Sequence, residues 1–304
     1  MANPEHVKIL KQGIAEWNAW RAEAETVSVD LTSVDLRGAN LVGADLDGAN
    51  LTDANLSNAN LDAARLYSAN LRGAQLNDAR LRGANLHSAD LHGAHLHGAR
   101  LNDANLGLAN LRLANLNGTD LSAAELYGAD LHGADLHGAR LHRAFLYLAD
   151  LSGADLNGAH LDFSHLHSAN LHGADLTESM LQGTVFTNVD LTSVIGLETC
   201  KHREPSTIDH RTLQLSNPLP LRFLRGVGLP DNLIDYLPSL FDRAIQYYSC
   251  FISYSSKDQE FADRIHADLQ NNRVRCWFAP HDMKIGDKIL MRSMQLSGCE
   301  TRSC

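Results

Sequence analysis

By residue type, the histidines are the side chains of this sequence best suited to chemistry. Eleven of the 16 lie between residues 31 and 195. Neutral imidazole is the commonest metal ligand in proteins, so a metal site is the first chemistry to consider. Zinc needs several ligands about 2 Å from one ion. Such a site can therefore exist only if the fold brings these side chains together.

The cysteines are a second candidate for metal binding or for disulfides. No two of them have the C-x-x-C spacing of a zinc or redox site. This scatter predicts reduced thiols of a cytoplasmic protein. The five are Cys200, Cys250, Cys276, Cys299 and Cys304.

Acidic side chains dominate the charge. The chain carries −10 at pH 7, and the segment from Leu31 to Ile195 has 18 Asp or Glu, nine Arg and no Lys. This excess favours proteins with cationic surfaces as partners, and no direct binding of nucleic acid is expected. No apolar run approaches the ~20 residues of a membrane helix, so no membrane contact is expected.

The element that must position these side chains is a five-residue repeat. Leu occupies every fifth position from Leu31 to Leu181, and Phe186 and Leu191 continue the register. The residue two before the Leu position is Ala in 26 of 30 repeats, and 15 of the segment's 16 glycines lie two residues after it.

A period of five fits neither regular structure. On an α-helix, successive leucines would step about 140° around the axis. On a straight strand, an odd period would send them to opposite faces. One common interior therefore requires the chain to bend once per repeat, with Gly suited to a turn position of positive φ.

These residues match the motif A-(D/N)-L-x-x and resemble the pentapeptide-repeat family. The resemblance implies a mainly β fold: a right-handed, four-sided β-helix with four repeats per coil and about eight coils. Residues 20 positions apart would then stack on one side of the rod. In the column at positions 92, 112, 132, 152 and 172, the histidines are two coils apart. That separation is about 10 Å, which argues against a metal site.

The ends of such a rod expose strand edges that need covering. Asn3 and Pro4 predict the start of a capping helix within residues 1–30. The β-helix is expected over residues 31–195. A helical and irregular linker that also caps the rod is expected over residues 196–247.

Residues 248–304 have a different pattern. Cys250-Phe-Ile-Ser-Tyr-Ser and Val274-Arg-Cys-Trp-Phe-Ala predict strands, and the spacing of the apolar residues Phe261, Ile265 and Leu269 predicts a helix between them. Such a β-α-β unit has parallel strands. Phe251-Ile-Ser-Tyr-Ser-Ser-Lys-Asp and Cys276-Trp-Phe-Ala-Pro-His-Asp-Met-Lys-Ile-Gly-Asp resemble the first two sequence boxes of a TIR domain, which has a flavodoxin-like α/β fold.

The resemblance to TIR domains also implies what this fragment lacks. TIR domains that cleave NAD use a Glu on a helix after the third strand, and that part of the motif is missing here. We therefore expect a truncated TIR module with no catalytic residue, no enzyme activity and no cofactor, NAD being expected only in an intact domain. An early stop or frameshift after Lys288–Ile289 is the hypothesis for the truncation.

Two candidate sites remain. By resemblance, the first is a remnant nucleotide or assembly site, although the aromatic side chains in it can equally be core. It comprises Ser253, Tyr254, Ser255, Trp277, Phe278, Asp282 and Gly286. The second is a partner surface of apolar residues on one side of the rod, unless the linker packs there. It comprises Leu108, Tyr127, Phe145, Tyr147 and Leu148.

The sequence thus predicts a cytoplasmic protein–protein interaction scaffold in TIR-type signal transduction, with proteins, other TIR domains among them, as partners. One alternative is a charge mimic of DNA that inhibits a DNA-binding enzyme such as a topoisomerase. The other alternative is a truncated form of a TIR NAD hydrolase.

Overall fold

The computed structural model of the 304-residue chain divides into two compact units, Met1–Phe241 and Asp242–Cys304. It describes residues 2–24, 27–241, 249–252, 259–271 and 275–278. Among the helices in these ranges, none is long and apolar enough to cross a membrane.

The repeat segment of the first unit is a β-helix of stacked parallel bridges. The residue before each Leu pairs with the residue 20 positions later, from Asp30↔Asn50 to His165↔Val185. A 20-residue offset means that four repeats complete one coil. Within a repeat, the Ala54 N–H donates to the Leu51 carbonyl at 3.0 Å and closes the bend that the five-residue period predicts.

The interior is a column of leucines and alanines. From Leu46 to Leu181 every Leu of the register is at most 1% exposed. Small hydroxyl residues replace Ala at four positions, and three of them, Thr119, Ser179 and Thr184, donate to a carbonyl of the coil beneath. The Thr119 Oγ1 donates to the Leu96 carbonyl at 2.8 Å, which satisfies a hydroxyl that would otherwise be buried without a partner.

Two helices, not one, precede the first coil. They are α1 (Pro4–Gln12) and α2 (Ile14–Glu23). The side chain of Asn3 accepts a hydrogen bond from the Glu5 N–H at 3.0 Å and caps α1. The single capping helix predicted from the sequence is interrupted at Gly13, whose φ of 148° only glycine adopts readily.

Helix α2 covers the edge of the first coil with polar contacts as well as a buried ring. Trp17 is fully buried, and its Nε1 donates to the Asp45 carbonyl at 2.8 Å. The Asn18 side chain accepts from the Asp45 N–H at 2.8 Å. Arg21 donates to the Asp47 carbonyl at 2.8 Å. The backbone groups of this edge are therefore satisfied by side chains.

The other end of the rod is covered by a short strand pair and three helices. Strand β1 pairs in parallel with β2, which continues the stacking of coils. These elements are β1 (Val185–Phe186), β2 (Thr207–Ile208), α3 (His210–Leu215), α4 (Leu221–Gly226) and α5 (Asp231–Phe241).

Asp209 joins this cap to the last coil. Its Oδ1 accepts from the Thr212 N–H at 2.9 Å, which caps α3, and from the Asn188 N–H at 3.1 Å. Burial alone would raise the pKa of Asp209, but these hydrogen bonds outweigh it and lower that pKa below its usual value. The Ser216 Oγ accepts from the Leu191 N–H at 2.9 Å, so side chains satisfy this edge too.

The second unit contains a β-α-β arrangement. Strands β3 (Ser249–Ile252) and β4 (Arg275–Phe278) are parallel, with Cys250 opposite Cys276, and α6 (Gln259–Asn271) lies between them in the chain. The parallel pairing predicted for these strands is confirmed.

The helix predicted between the two strands is confirmed, and the first residue of its apolar stripe is exposed to solvent. Phe261 is 60% exposed, whereas the adjacent Ala262 is 2% exposed. At this turn of the helix the buried residue is therefore one position further along the chain, and the smaller of the two side chains is the buried one.

Candidate protein-interaction surface

Each stacked Leu column carries three outward positions per repeat: the residue before Leu and the two after it. These positions form four faces, because four columns make up the coil. The column that includes Leu106, Leu126 and Leu146 carries what we call the aromatic face. It contains Leu108, Tyr127, Phe145, Tyr147, Leu148, His165 and His167.

Four rings of the aromatic face form one contiguous cluster. Phe145 lies parallel to the imidazole of His165, with centroids 5.5 Å apart and planes within 8°. The Tyr147 centroid is 6.1 Å from that of Phe145 and 5.7 Å from that of His165. The His167 ring completes the cluster 6.3 Å from Tyr147. Stacked, mutually supported rings form a surface of fixed shape.

The large apolar side chains here face solvent. Tyr127 is 51% exposed, and Leu108 and Leu148 are each 52% exposed. Both leucines occupy the turn position with positive φ, 57° and 58°, which is unfavourable for a side chain with a Cβ. A Cβ on Gly128 would lie 2.8 Å from Cδ2 of Leu108, so the glycine gives that side chain room to lie across the face.

The aromatic face is also depleted of charge. Between Asn85 and Asn188, Glu125 is its one residue with a formal charge when histidine is counted as neutral. Exposed aromatic side chains in a region of low charge are typical of the centre of protein–protein interfaces.

The five residues predicted for a partner surface therefore lie together on one face, with Tyr147 half-buried. His165 and His167 extend this surface and were missed by the sequence analysis. Their positions, 20 residues after Phe145 and Tyr147, are the signal that could have identified them.

The histidines do not assemble into a metal site within the part of the chain that the structure describes. Several instead contact hydroxyl groups of the next coil. The ring Nδ1 of His132 lies 2.8 Å from Ser152 Oγ, and that of His172 lies 2.9 Å from Ser193 Oγ.

Cys200 is the cysteine whose side chain is described. It is 4% exposed and free, and burial raises the pKa of its thiol to about 12. A thiol with such a pKa is not a nucleophile at neutral pH.

The predicted nucleotide or assembly site lies mostly outside the described residues. Ser253, Tyr254, Ser255, Asp282 and Gly286 belong to undescribed segments. Trp277 and Phe278 lie at the carboxyl end of β4, opposite Phe251 and Ile252 of β3.

Two family models match the chain. The model for pentapeptide repeats matches residues 30–66, 64–103, 104–143, 144–183 and 169–195. The model for the TIR domain matches residues 250–297. The first match, with the pairing at 20-residue offset, confirms the right-handed β-helix predicted from the repeat.

Several solved pentapeptide-repeat structures are similar to part of the chain. HetL, involved in heterocyst differentiation regulation in the cyanobacterium Nostoc sp. strain PCC 7120, is 28% identical, with 60% of this chain and 90% of HetL covered and a TM-score of 0.36. QnrB1, a plasmid-mediated fluoroquinolone resistance protein, is 20% identical, with 68% and 97% covered and a TM-score of 0.33. Protein alr5209 from Nostoc is 42% identical, with 27% and 69% covered and a TM-score of 0.19. No curated protein matches the chain.

Proposed function

Since the chain belongs to the pentapeptide-repeat family, we propose that it is a protein–protein interaction scaffold in which a rigid β-helix presents a TIR-type module for signal transduction. We take the rod to have about eight coils, as about 33 repeats at four per coil require. The observation that carries the proposal is the aromatic face, an exposed apolar and aromatic surface that carries a single formal charge between Asn85 and Asn188.

Rigidity is what such a scaffold needs, and the repeat supplies it. Each coil is hydrogen-bonded to the next at every repeat, for example from the Leu126 N–H to the Phe145 carbonyl at 2.8 Å. The aromatic side chains therefore stand on a backbone that does not have to be ordered when a partner binds, which lowers the entropic cost of association. The expected partners are proteins, other TIR domains among them, in the cytoplasm.

Removing the two exposed leucines of the aromatic face is expected to abolish partner capture. The double variant Leu108→Ser, Leu148→Ser should capture at least tenfold less partner than the unmodified chain, because residues at the centre of an interface contribute most of its affinity. The measurement is quantitative mass spectrometry of proteins retained by the immobilised full chain.

The matched control is Leu113→Ser. Leu113 is 59% exposed and has a φ of 56°, so it occupies the same turn position, but it lies on another face. Equal losses in the control and the double variant would show that exposed leucines in general, and not the aromatic face, retain the partner.

We also propose that this chain uses no cofactor and does not consume NAD. Glu260 is the only glutamate within the residues matched to the TIR model, and it lies on α6 between β3 and β4. The resemblance to TIR domains places the catalytic Glu on a helix after the third strand. Incubation of the purified 304-residue chain with NAD should therefore leave the NAD intact by chromatography. Turnover that is lost on Trp277→Ala would contradict this expectation.

The DNA-mimic alternative has one observation in its favour. The outward positions around the Leu136 column, which we call the acidic face, carry six carboxylates and one arginine within residues 31–195. Asp135, Asp155 and Asp175 stack on successive coils there. Each accepts a backbone N–H of its own turn, for example that of His137 at 3.0 Å, which already accounts for an acid at this position. We therefore favour the scaffold; inhibition of a purified topoisomerase by the chain would favour the alternative.

A further inference from the structure

The four faces of the rod differ sharply in charge. Within residues 31–195, the outward positions around the column that includes Leu101, Leu121 and Leu141 form what we call the arginine face. It carries five of the nine arginines and four of the 18 acids, a net charge of +1. The remaining three faces carry −2, −3 and −5. The arginines of this face are Arg80, Arg82, Arg100, Arg140 and Arg143.

Ion pairing also distinguishes the repeat arginines of the different faces, although Arg80 and Arg82 of the arginine face both pair with Asp62. Those on the other faces all pair with nearby carboxylates, as Arg72 does with Asp90 at 3.2 Å and Arg112 with Asp130 at 3.3 Å. Arg100, Arg140 and Arg143 are exposed and have no carboxylate within 4.0 Å among the described residues. All three unpaired arginines of the repeats thus lie on one face.

An open groove of about 650 Å³ lies between two of these arginines. Arg100 and Arg140 belong to one column and are separated by the coil of Asp120, so their backbones are about 10 Å apart at ~4.8 Å per coil. Asp120 forms no ion pair with either arginine among the described residues, and its Oδ1 instead accepts from the Ser122 N–H at 3.1 Å and from Ser122 Oγ at 2.6 Å. The groove is lined by Arg82, Arg100, Asn102, Asp120, Ser122 and Arg140, among others.

We propose that this groove is a second docking site, for an acidic α-helix of a partner protein. Two carboxylates seven residues apart on one side of a helix are about 10.5 Å apart, close to the spacing of Arg100 and Arg140. Carboxylates there would gain two ion pairs that the rod itself leaves unmade.

The same groove is poorly suited to nucleic acid. Asp103 and Asp120 line it beside the arginines, and the whole face carries only +1. A phosphate backbone is continuously negative and would be repelled by these carboxylates, whereas a helix can present neutral or basic side chains opposite them.

The test uses the full chain and a designed probe. The probe is a fluorescent, alanine-rich helical peptide of about 20 residues with Glu at every seventh position, and its binding is followed by anisotropy at low salt. The double variant Arg100→Gln, Arg140→Gln should bind it about fivefold more weakly, since each exposed ion pair contributes modestly. Added salt should weaken binding by the unmodified chain.

The matched control is Arg72→Gln, Arg112→Gln. These arginines have the same 40-residue separation but lie on another face and are already paired. The control should stay within about twofold of the unmodified chain, as should Leu108→Ser, Leu148→Ser. Equal weakening by the control, or equal binding of a peptide with Gln in place of Glu, would overturn the proposal. Tighter, Arg100-dependent binding of a single-stranded oligonucleotide would overturn it in favour of nucleic acid.

Discussion

Leu106→Asp is expected to abolish cooperative folding of the rod. Leu106 is completely buried between Leu86 and Leu126 on the neighbouring coils. A carboxyl group at this position would have no partner in a column of leucines, and such burial costs several kcal/mol whether the group is charged or neutral. The rod is continuous, so loss of one coil also removes the stacking surface of its neighbours. Thermal unfolding followed by circular dichroism should lose its sharp transition.

The companion variant Asn117→Asp introduces the same side chain at an outward position. Asn117 is half-buried and is the residue immediately after a Leu of the register. The unfolding temperature of the Asn117→Asp variant should stay within a few degrees of that of the unmodified chain, because surface substitutions usually change stability by less than about 0.5 kcal/mol. Equal destabilisation by both variants would mean that the leucines do not form the interior.

Trp17→Ala is expected to lower the free energy of unfolding by about 3–5 kcal/mol, the cost of truncating a fully buried large aromatic side chain. Trp17 also donates from Nε1 to the Asp45 carbonyl at 2.8 Å, so its loss leaves an edge acceptor without its partner. Urea denaturation measures the total effect. Hydrogen exchange should show loss of protection in the first coil before the middle of the rod.

Trp20→Ala is the control that shows whether the effect comes from the buried Trp17 ring or from the loss of any large side chain of α2. Trp20 is half-buried and lies 5.1 Å from Trp17, centroid to centroid. A clearly smaller destabilisation is expected from it. If the two variants were equally destabilised, α2 would be acting through its helical content and not through the Trp17 contact with the first coil.

Much of the rod could be predicted from residue types alone. The five-residue period places Leu106 inside, and the glycine pattern predicts the positive φ that Gly128 adopts. The structure at the two ends of the rod was harder to predict, because the contacts there are not periodic. Gly13 interrupts the N-terminal helix, and Asn18 reaches backbone groups of a coil 27 residues away. No local pattern contains that information.

The candidate surfaces also contain one part that the sequence predicts and one part that it does not. A 20-residue column places Tyr127 and Tyr147 together, so the aromatic face followed once the coil length was known. The ion pairing of the arginines could not be predicted from the coil length. Whether an arginine finds a carboxylate depends on side-chain reach between neighbouring coils, as for Arg72 and Asp90, and not on spacing alone.

The aromatic face as a partner-binding surface is tested most directly by site-specific photo-cross-linking. A benzophenone amino acid is placed at Tyr127 in the full chain, and at Asn117 on the acidic face as the control. In cells that naturally express the chain, we expect one discrete cross-linked protein from position 127, lost when Leu108→Ser and Leu148→Ser are also present. No adduct from position 127, or the same adduct from position 117, would contradict the scaffold account.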